Sequence, residues 1–205
     1  MGDTLLSWAS SPTSRKMMSA VGLPTPQPLT RSTSRWNAAP LKGGVWSVAG
    51  GSMSTALADT VRSMGGTVVA GDEPVTDALA GLVFDATHFS TADDLQSLHT
   101  FFHPRVRSIA KCGRVVVVGR PHRESSGAGE AAVRSALLGF TKSLAKELGR
   151  KGTTANLITV DEGAEQGVYG PLRFLLDARS AFVTGQPIRV GSAGHTGSWE
   201  ALHDG

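Results

Sequence analysis

Residues 114–160 read RVVVVGRPHRESSGAGEAAVRSALLGFTKSLAKELGRKGTTANLITV, and this stretch decides the fold. The run Val115 to Val118 has no polar alternation, as expected of a central strand covered on both faces, so Arg114 to Val118 is assigned as a strand. Helical spacing follows over Gly127 to Leu148, where Val133, Leu137, Phe140, Leu144 and Leu148 recur at three- and four-residue steps. Gly149, with Arg150 and Lys151 behind it, reads as the helix stop. Thr154 to Val160 then gives a second strand. Strand, helix and strand in succession are the unit of a parallel sheet.

The same alternation extends outward. Further strands are expected at Val45 to Ala49, Thr67 to Ala70, Gly81 to Asp85 and Pro187 to Val190, and further helices at Ser54 to Met64, Thr91 to Ala110 and Pro171 to Ala178. The expected architecture is a three-layer, doubly wound α/β domain with a parallel sheet of about six strands.

Its 205 residues, 40% of them hydrophobic, suffice for one full core. The net charge of +3 comes from the leading arm, because residues 1–42 hold Arg15, Lys16, Arg31, Arg35 and Lys42 against Asp3 alone. The remainder has 15 basic and 16 acidic residues, so no broad basic field exists and no nucleic-acid partner is expected. Residues 8–42 are rich in Ser, Thr, Pro and Arg, the composition of an extended arm. Pro12, Pro24, Pro26 and Pro28 break the amphipathic helix a transit peptide would need. No apolar run approaches membrane-spanning length, and Leu6 stands where a myristoylation motif wants Ser or Thr. Cys112 is the only cysteine, which excludes an internal disulfide and Cys-based zinc sites and fits a cytoplasmic setting.

Two features suggest a nucleotide site. Ala49-Gly50-Gly51-Ser52 follows a strand and opens a helix, the context in which backbone amides meet a pyrophosphate. Asp72 lies 22 residues beyond Gly50, where dinucleotide-binding folds place a carboxylate on the ribose. Gly50, Gly51, Ser52 and Asp72 are thus the candidate cofactor-binding residues.

Gly139-Phe-Thr-Lys-Ser-Leu-Ala-Lys-Glu-Leu-Gly149, then Thr154-Ala-Asn-Leu-Ile and Phe182-Val-Thr-Gly-Gln-Pro-Ile-Arg-Val-Gly191, closely resemble the second half of short-chain dehydrogenases/reductases, particularly 3-oxoacyl-[acyl carrier protein] reductases. The register that resemblance sets places the family's catalytic tyrosine at Glu130 and its lysine at Arg134, with the serine around Gly119 or Arg120. A carboxylate replaces a proton-donating phenol only if its pKa is strongly raised, and an arginine one turn away pushes it down. No catalytic residue is therefore expected. Ser54 and Ala56 replace later glycines of the family's turn, Phe84-Asp85-Ala86-Thr87 its Asn-Asn-Ala-Gly, and Val160-Asp161 the Pro-Gly beside the nicotinamide. The short interval after Asp72 leaves no room for a helix and third strand, which implies a flavodoxin-like sheet.

The resemblance is nearest to the degenerate N-terminal domain of long, two-domain bacterial 3-oxoacyl reductases, on the strength of the Pro-rich arm into Leu41-Lys-Gly-Gly-Val and the ending Ser198-Trp-Glu-Ala-Leu-His-Asp-Gly205. It implies an arm (1–42), a degenerate reductase-like domain (43–191) and a linker stub (192–205) toward a catalytic domain. This domain would take no cofactor itself, the parent enzyme would use NAD(P)H, and no membrane partner would be involved. Pairing would run through the helices at 91–110 and 127–148, the second of which carries a small-residue stripe of Ala132, Ala136, Gly139 and Ser143. The alternative is an active or nucleotide-sensing NAD(P)(H)-dependent oxidoreductase of the same family.

Other residues have plainer readings. His99 and His103 are one helical turn apart with no third ligand, so no metal is expected. Asp161, Glu162 and Glu165 read as a solvated flexible loop, Glu130 and Arg134 as a surface ion pair, and Cys112 as a helix-end cysteine before the strand.

Overall fold

Valines on successive positions of one strand must find apolar cover on both sides, and the fold supplies it. The computed structural model describes residues 28–32, 36–74 and 78–191, with isolated positions between 11 and 20. The linker stub and most of the arm lie outside them. The strands are β1 (Val45–Gly50), β2 (Thr67–Ala70), β3 (Leu79–Ala86), β4 (Ile109–Gly119), β5 (Thr154–Val160) and β6 (Pro187–Val190). All neighbours are parallel, in the order β2-β1-β3-β4-β5-β6. The helices are α1 (Ser54–Ser63), α2 (Leu95–Phe102), α3 (Ala128–Leu148) and α4 (Tyr169–Leu176).

Val116 and Val118 of β4 join Leu57 and Val61 of α1 and Leu172 and Leu175 of α4 in one core. Val115 and Val117 join Phe101 and Phe102 of α2 and Leu137 and Leu144 of α3 in the other. Each such side chain contributes about 1.5–3 kcal/mol on leaving water. The three-layer α/β architecture is the expected one, and among the described residues no helix stands between β2 and β3. Buried Arg105 pins that short crossover by donating to the carbonyls of Phe101 (3.0 Å) and Glu73 (3.1 Å).

Three expectations are corrected. The helix expected over 91–110 is α2 alone, preceded by a 3₁₀ turn at Ala92–Asp94. Pro104 has no N–H to continue the ladder, so the helix stops at Phe102 with His103 as its cap. Ile109 already pairs with Leu79 in β4, and the register then jumps to Gly81 beside Arg114. The extra residues bulge, leaving Cys112 inside the strand at φ 57° rather than at a helix end. Buried Arg114 holds the bulge through the carbonyls of Cys112 (2.8 Å) and Gly113 (3.0 Å), and desolvation lowers its pKa. Thirdly, Gly149 keeps right-handed helical angles, and the left-handed stop is Gly152 (φ 70°) after a 3₁₀ turn.

The end of the arm packs on this body. Leu41 is buried in the core, Arg179 lies 4.2 Å from the Trp36 ring centroid, and the Thr30 amide donates to the Cys112 sulfur.

Candidate functional site

The glycine turn sits at the carboxyl end of β1, where Gly50 lies beside Asp85 of β3. Gly50 has φ +116°, and a Cβ there would stand 2.1 Å from the Asp85 carbonyl oxygen, so only glycine fits. The Gly51 amide donates to that oxygen (3.0 Å), and a Cβ on Gly51 would meet the Asp85 carboxylate at 2.9 Å. The close approach these glycines permit is therefore to β3 and, at Gly51, to the His88 ring just past it, whose Nδ1 such a Cβ would meet at 2.5 Å.

Asp85 is fully buried. Its Oδ2 accepts from the Met53 amide (2.8 Å) at the mouth of α1. Its Oδ1 accepts from the amide (2.9 Å) and the hydroxyl (2.6 Å) of Thr87. Among the described residues no lysine, arginine or histidine forms an ion pair with it. Ser52 is exposed beside this arrangement. A pyrophosphate brought here would face the Asp85 carboxylate, and like charges repel. The turn fits a dinucleotide poorly on that count.

Asp72 does not end β2; it stands two residues past Ala70, exposed in the following turn. Its charge acts on Arg105, where it partly opposes the lowering of that pKa by burial.

The positions that match the family's catalytic groups lie where the sheet's carboxyl edge meets α3. Glu130 stands in the first turn of α3 and accepts from the amide and hydroxyl of Ser126, both at 2.7 Å. Arg134 donates to the same carboxylate and to the Pro121 carbonyl (3.3 Å). The ion pair forms as expected, but the two side chains are only 15% and 12% exposed, so it is sheltered rather than on the surface. The hydrogen bonds from Ser126, then Arg134, hold the Glu130 carboxyl below its ordinary pKa, which favours the anion over a proton donor.

Arg120, beyond β4, donates to the carbonyls of Val160 (3.2 Å) and Asp161 (3.0 Å) and to the Glu165 carboxylate (2.6 Å). That contact lowers the pKa of Glu165. Arg189 of β6 grips both carboxylate oxygens of Asp161. The acidic loop expected to be solvated and flexible is thus tied at Asp161 and Glu165, because Arg120 just past β4 and Arg189 on β6 reach it; Glu162 stays exposed. His99 and His103 stack with centroids 4.8 Å apart, and among the described residues no third metal-ligating side chain joins them. No helix of the described residues is long and apolar enough to cross a membrane.

A short-chain dehydrogenase/reductase from Serratia marcescens superposes with a TM-score of 0.60 at 21% identity, over 74% of this chain and 98% of that one. A doubly substituted variant of a Serratia marcescens enzyme of the same description gives 0.56 at 22%, over 74% and 97%. The chain shares the Rossmann-like α/β fold of these proteins. In sequence it is 33% identical, over a 99-residue alignment, to the short-chain dehydrogenase/reductase family member NovK of Streptomyces niveus. That alignment takes in 38% of this chain and spans 41% of the length of the curated relative. No protein-family model matches the chain.

The roles of Asp85 and Arg189 at the site come from the structure and not from the sequence. Asp85 is a lone acid in the otherwise apolar run Leu79–Ala86, a signal that a buried partner awaits it. Arg189 carried no comparable signal, being one charge on a short edge strand.

Proposed function

We propose that this chain is a non-catalytic accessory domain of a short-chain dehydrogenase/reductase that reduces 3-oxoacyl thioesters of acyl carrier protein or coenzyme A in fatty-acid metabolism. It contributes assembly surface while a C-terminal domain carries out the NAD(P)H chemistry. The observation that carries this reading is the Glu130–Arg134–Ser126 network. Carbonyl reduction needs a neutral acid poised to protonate the developing alkoxide. Here the corresponding group is an anion whose lone pairs are committed to Ser126 and Arg134, and the serine's counterpart falls around Gly119 or Arg120, of which Arg120 is committed to β5 and Glu165. The test is turnover of a 3-oxoacyl thioester with NADH or NADPH by the purified chain, free of host reductases. Only background is expected, and enzyme-dependent consumption of the nucleotide would overturn the reading.

The second reading, an active or nucleotide-sensing NAD(P)(H)-dependent oxidoreductase, is favoured by one observation. Gly50 keeps a glycine-only conformation between a strand and a helix, as a nucleotide-binding turn requires. Saturable submillimolar binding of NADH or NADPH to the wild-type chain would support it over the first.

A further inference from the structure

We infer that Asp85 is the residue that decides against phosphate binding at the glycine turn: its carboxylate occupies, from inside the chain, the place of an anionic ligand. The inference deepens the non-catalytic reading and rests on it. Three observations converge. The fold brings the amides of Gly51 and Met53 to the mouth of α1, where a helix presents donors and the positive end of its dipole. Both donors are already taken by Asp85, Gly51 by its carbonyl at 3.0 Å and Met53 by its carboxylate at 2.8 Å. The carboxylate is fully buried with no ion-pair partner among the described residues, so these donors, the Thr87 bonds and the helix end are what stabilise its charge.

A buried anion solvated this way is a self-supplied ligand. A phosphate arriving at the turn must displace it, stranding a desolvated carboxylate, or sit beside it against its charge. Either route penalises phosphates as a class, whichever nucleotide carries them. Replacing the carboxylate with an amide removes the charge while keeping an oxygen that accepts from Met53; the side-chain NH₂ then faces the Thr87 hydroxyl, which can accept, and the Thr87 amide, which cannot, so the variant gives up one hydrogen bond.

The test uses the full 205-residue chain, with NADPH and inorganic pyrophosphate as probes, titrated calorimetrically at low salt against wild type and Asp85→Asn. Asp85→Asn is expected to bind both probes at least about tenfold more tightly than wild type. Equal affinities, or submillimolar binding of either probe by wild type, would overturn the inference. Should the variant not fold, amide resonances of wild type decide. Those of Gly51, Met53 and Ser54 are expected to stay fixed as pyrophosphate is added, and a saturable shift overturns the assignment. The failures are separable: turnover by wild type removes the non-catalytic reading, whereas an inactive wild type whose Asp85→Asn variant gains no affinity removes only the role given to Asp85.

Discussion

Arg134 follows Glu130 by one helical turn on α3 and bonds the same carboxylate that takes the amide and hydroxyl of Ser126, so one anion fastens both the loop before the helix and the helix itself. The folded-state pKa of Glu130 is depressed, first by Ser126 and then by Arg134. A depressed carboxylate contributes stability above its unfolded pKa and loses it as pH falls through the folded value. Glu130→Gln is therefore expected to melt below wild type at pH 7, the two curves converging in acid. Calorimetry from pH 7 to about 3 checks this; an offset independent of pH would assign the loss to shape rather than charge.

Converting the two positions to the family's residues, Glu130→Tyr with Arg134→Lys, is expected to leave the chain without reductase activity. The turn still holds Asp85, and the stretch around Gly119 and Arg120 still offers no hydroxyl where the resemblance puts the serine. Single-turnover assays with NADPH and a 3-oxoacyl thioester read the outcome. Restored reduction would mean that the nucleotide binds despite the buried carboxylate.

Leu41 belongs to the arm by composition and to the core by packing, at 6% exposure among Trp46, Val61 and Met64. Truncating such a side chain costs the transfer energy and the cavity, so Leu41→Ala should destabilise by about 2–5 kcal/mol. Removal of residues 1–27, in contrast, should leave the urea midpoint close to that of the whole chain. Equal midpoints for Leu41→Ala and wild type would show that the arm's end is dispensable.

Asp161 takes both Arg189 nitrogens and ties edge strand β6 to the loop after β5. Charge-assisted bonds of this kind are worth about 1.5–3 kcal/mol, and Asp161→Ala is expected to lower stability by that order with an unchanged denaturant slope. A shift under about 0.5 kcal/mol, typical of exposed pairs, would place the pair among those.

The fold was legible where period and punctuation agreed: Val115 to Val118 demanded cover on two faces and received it, and the short interval after Asp72 excluded a helix, which the strand order bears out. The sequence misled where an apolar spacing ran past a proline. Val106, Ile109 and Ala110 continue a helical rhythm, yet Pro104 had removed the amide that rhythm needs, and Ile109 serves the sheet instead. The positions of Glu130 and Arg134 were readable because their contact is local. The bond from Met53 to Asp85 joins residues 32 apart and depends on the pairing of β1 with β3, which no local pattern encodes.

The remaining prediction concerns α3. Val133, Leu137, Leu144 and Leu148 point into the sheet and are buried, while Ala132, Gly139 and Ser143 are exposed and Ala136 half-exposed on a neighbouring face. A Cβ at Gly139 would meet nothing within 4 Å. Beside this face, a hollow of about 580 Å³ between α2 and α3 is lined by Phe102, Val106, Phe140 and Leu144 together with the polar His99, His103, Arg107 and Glu147. A small-residue stripe next to a hollow that mixes apolar and charged side chains suits a second helix at close range, and a second copy of the chain across a two-fold axis supplies one. Glutamates at both positions, Ala136→Glu with Gly139→Glu, have room in the single chain, so its melting should change little. In a dimer they would be buried without partners, at a cost such an interface cannot sustain. Light scattering with size-exclusion chromatography is expected to show a dimeric wild type and a monomeric double variant; a monomeric wild type, or a double variant that remains dimeric, would rule this face out.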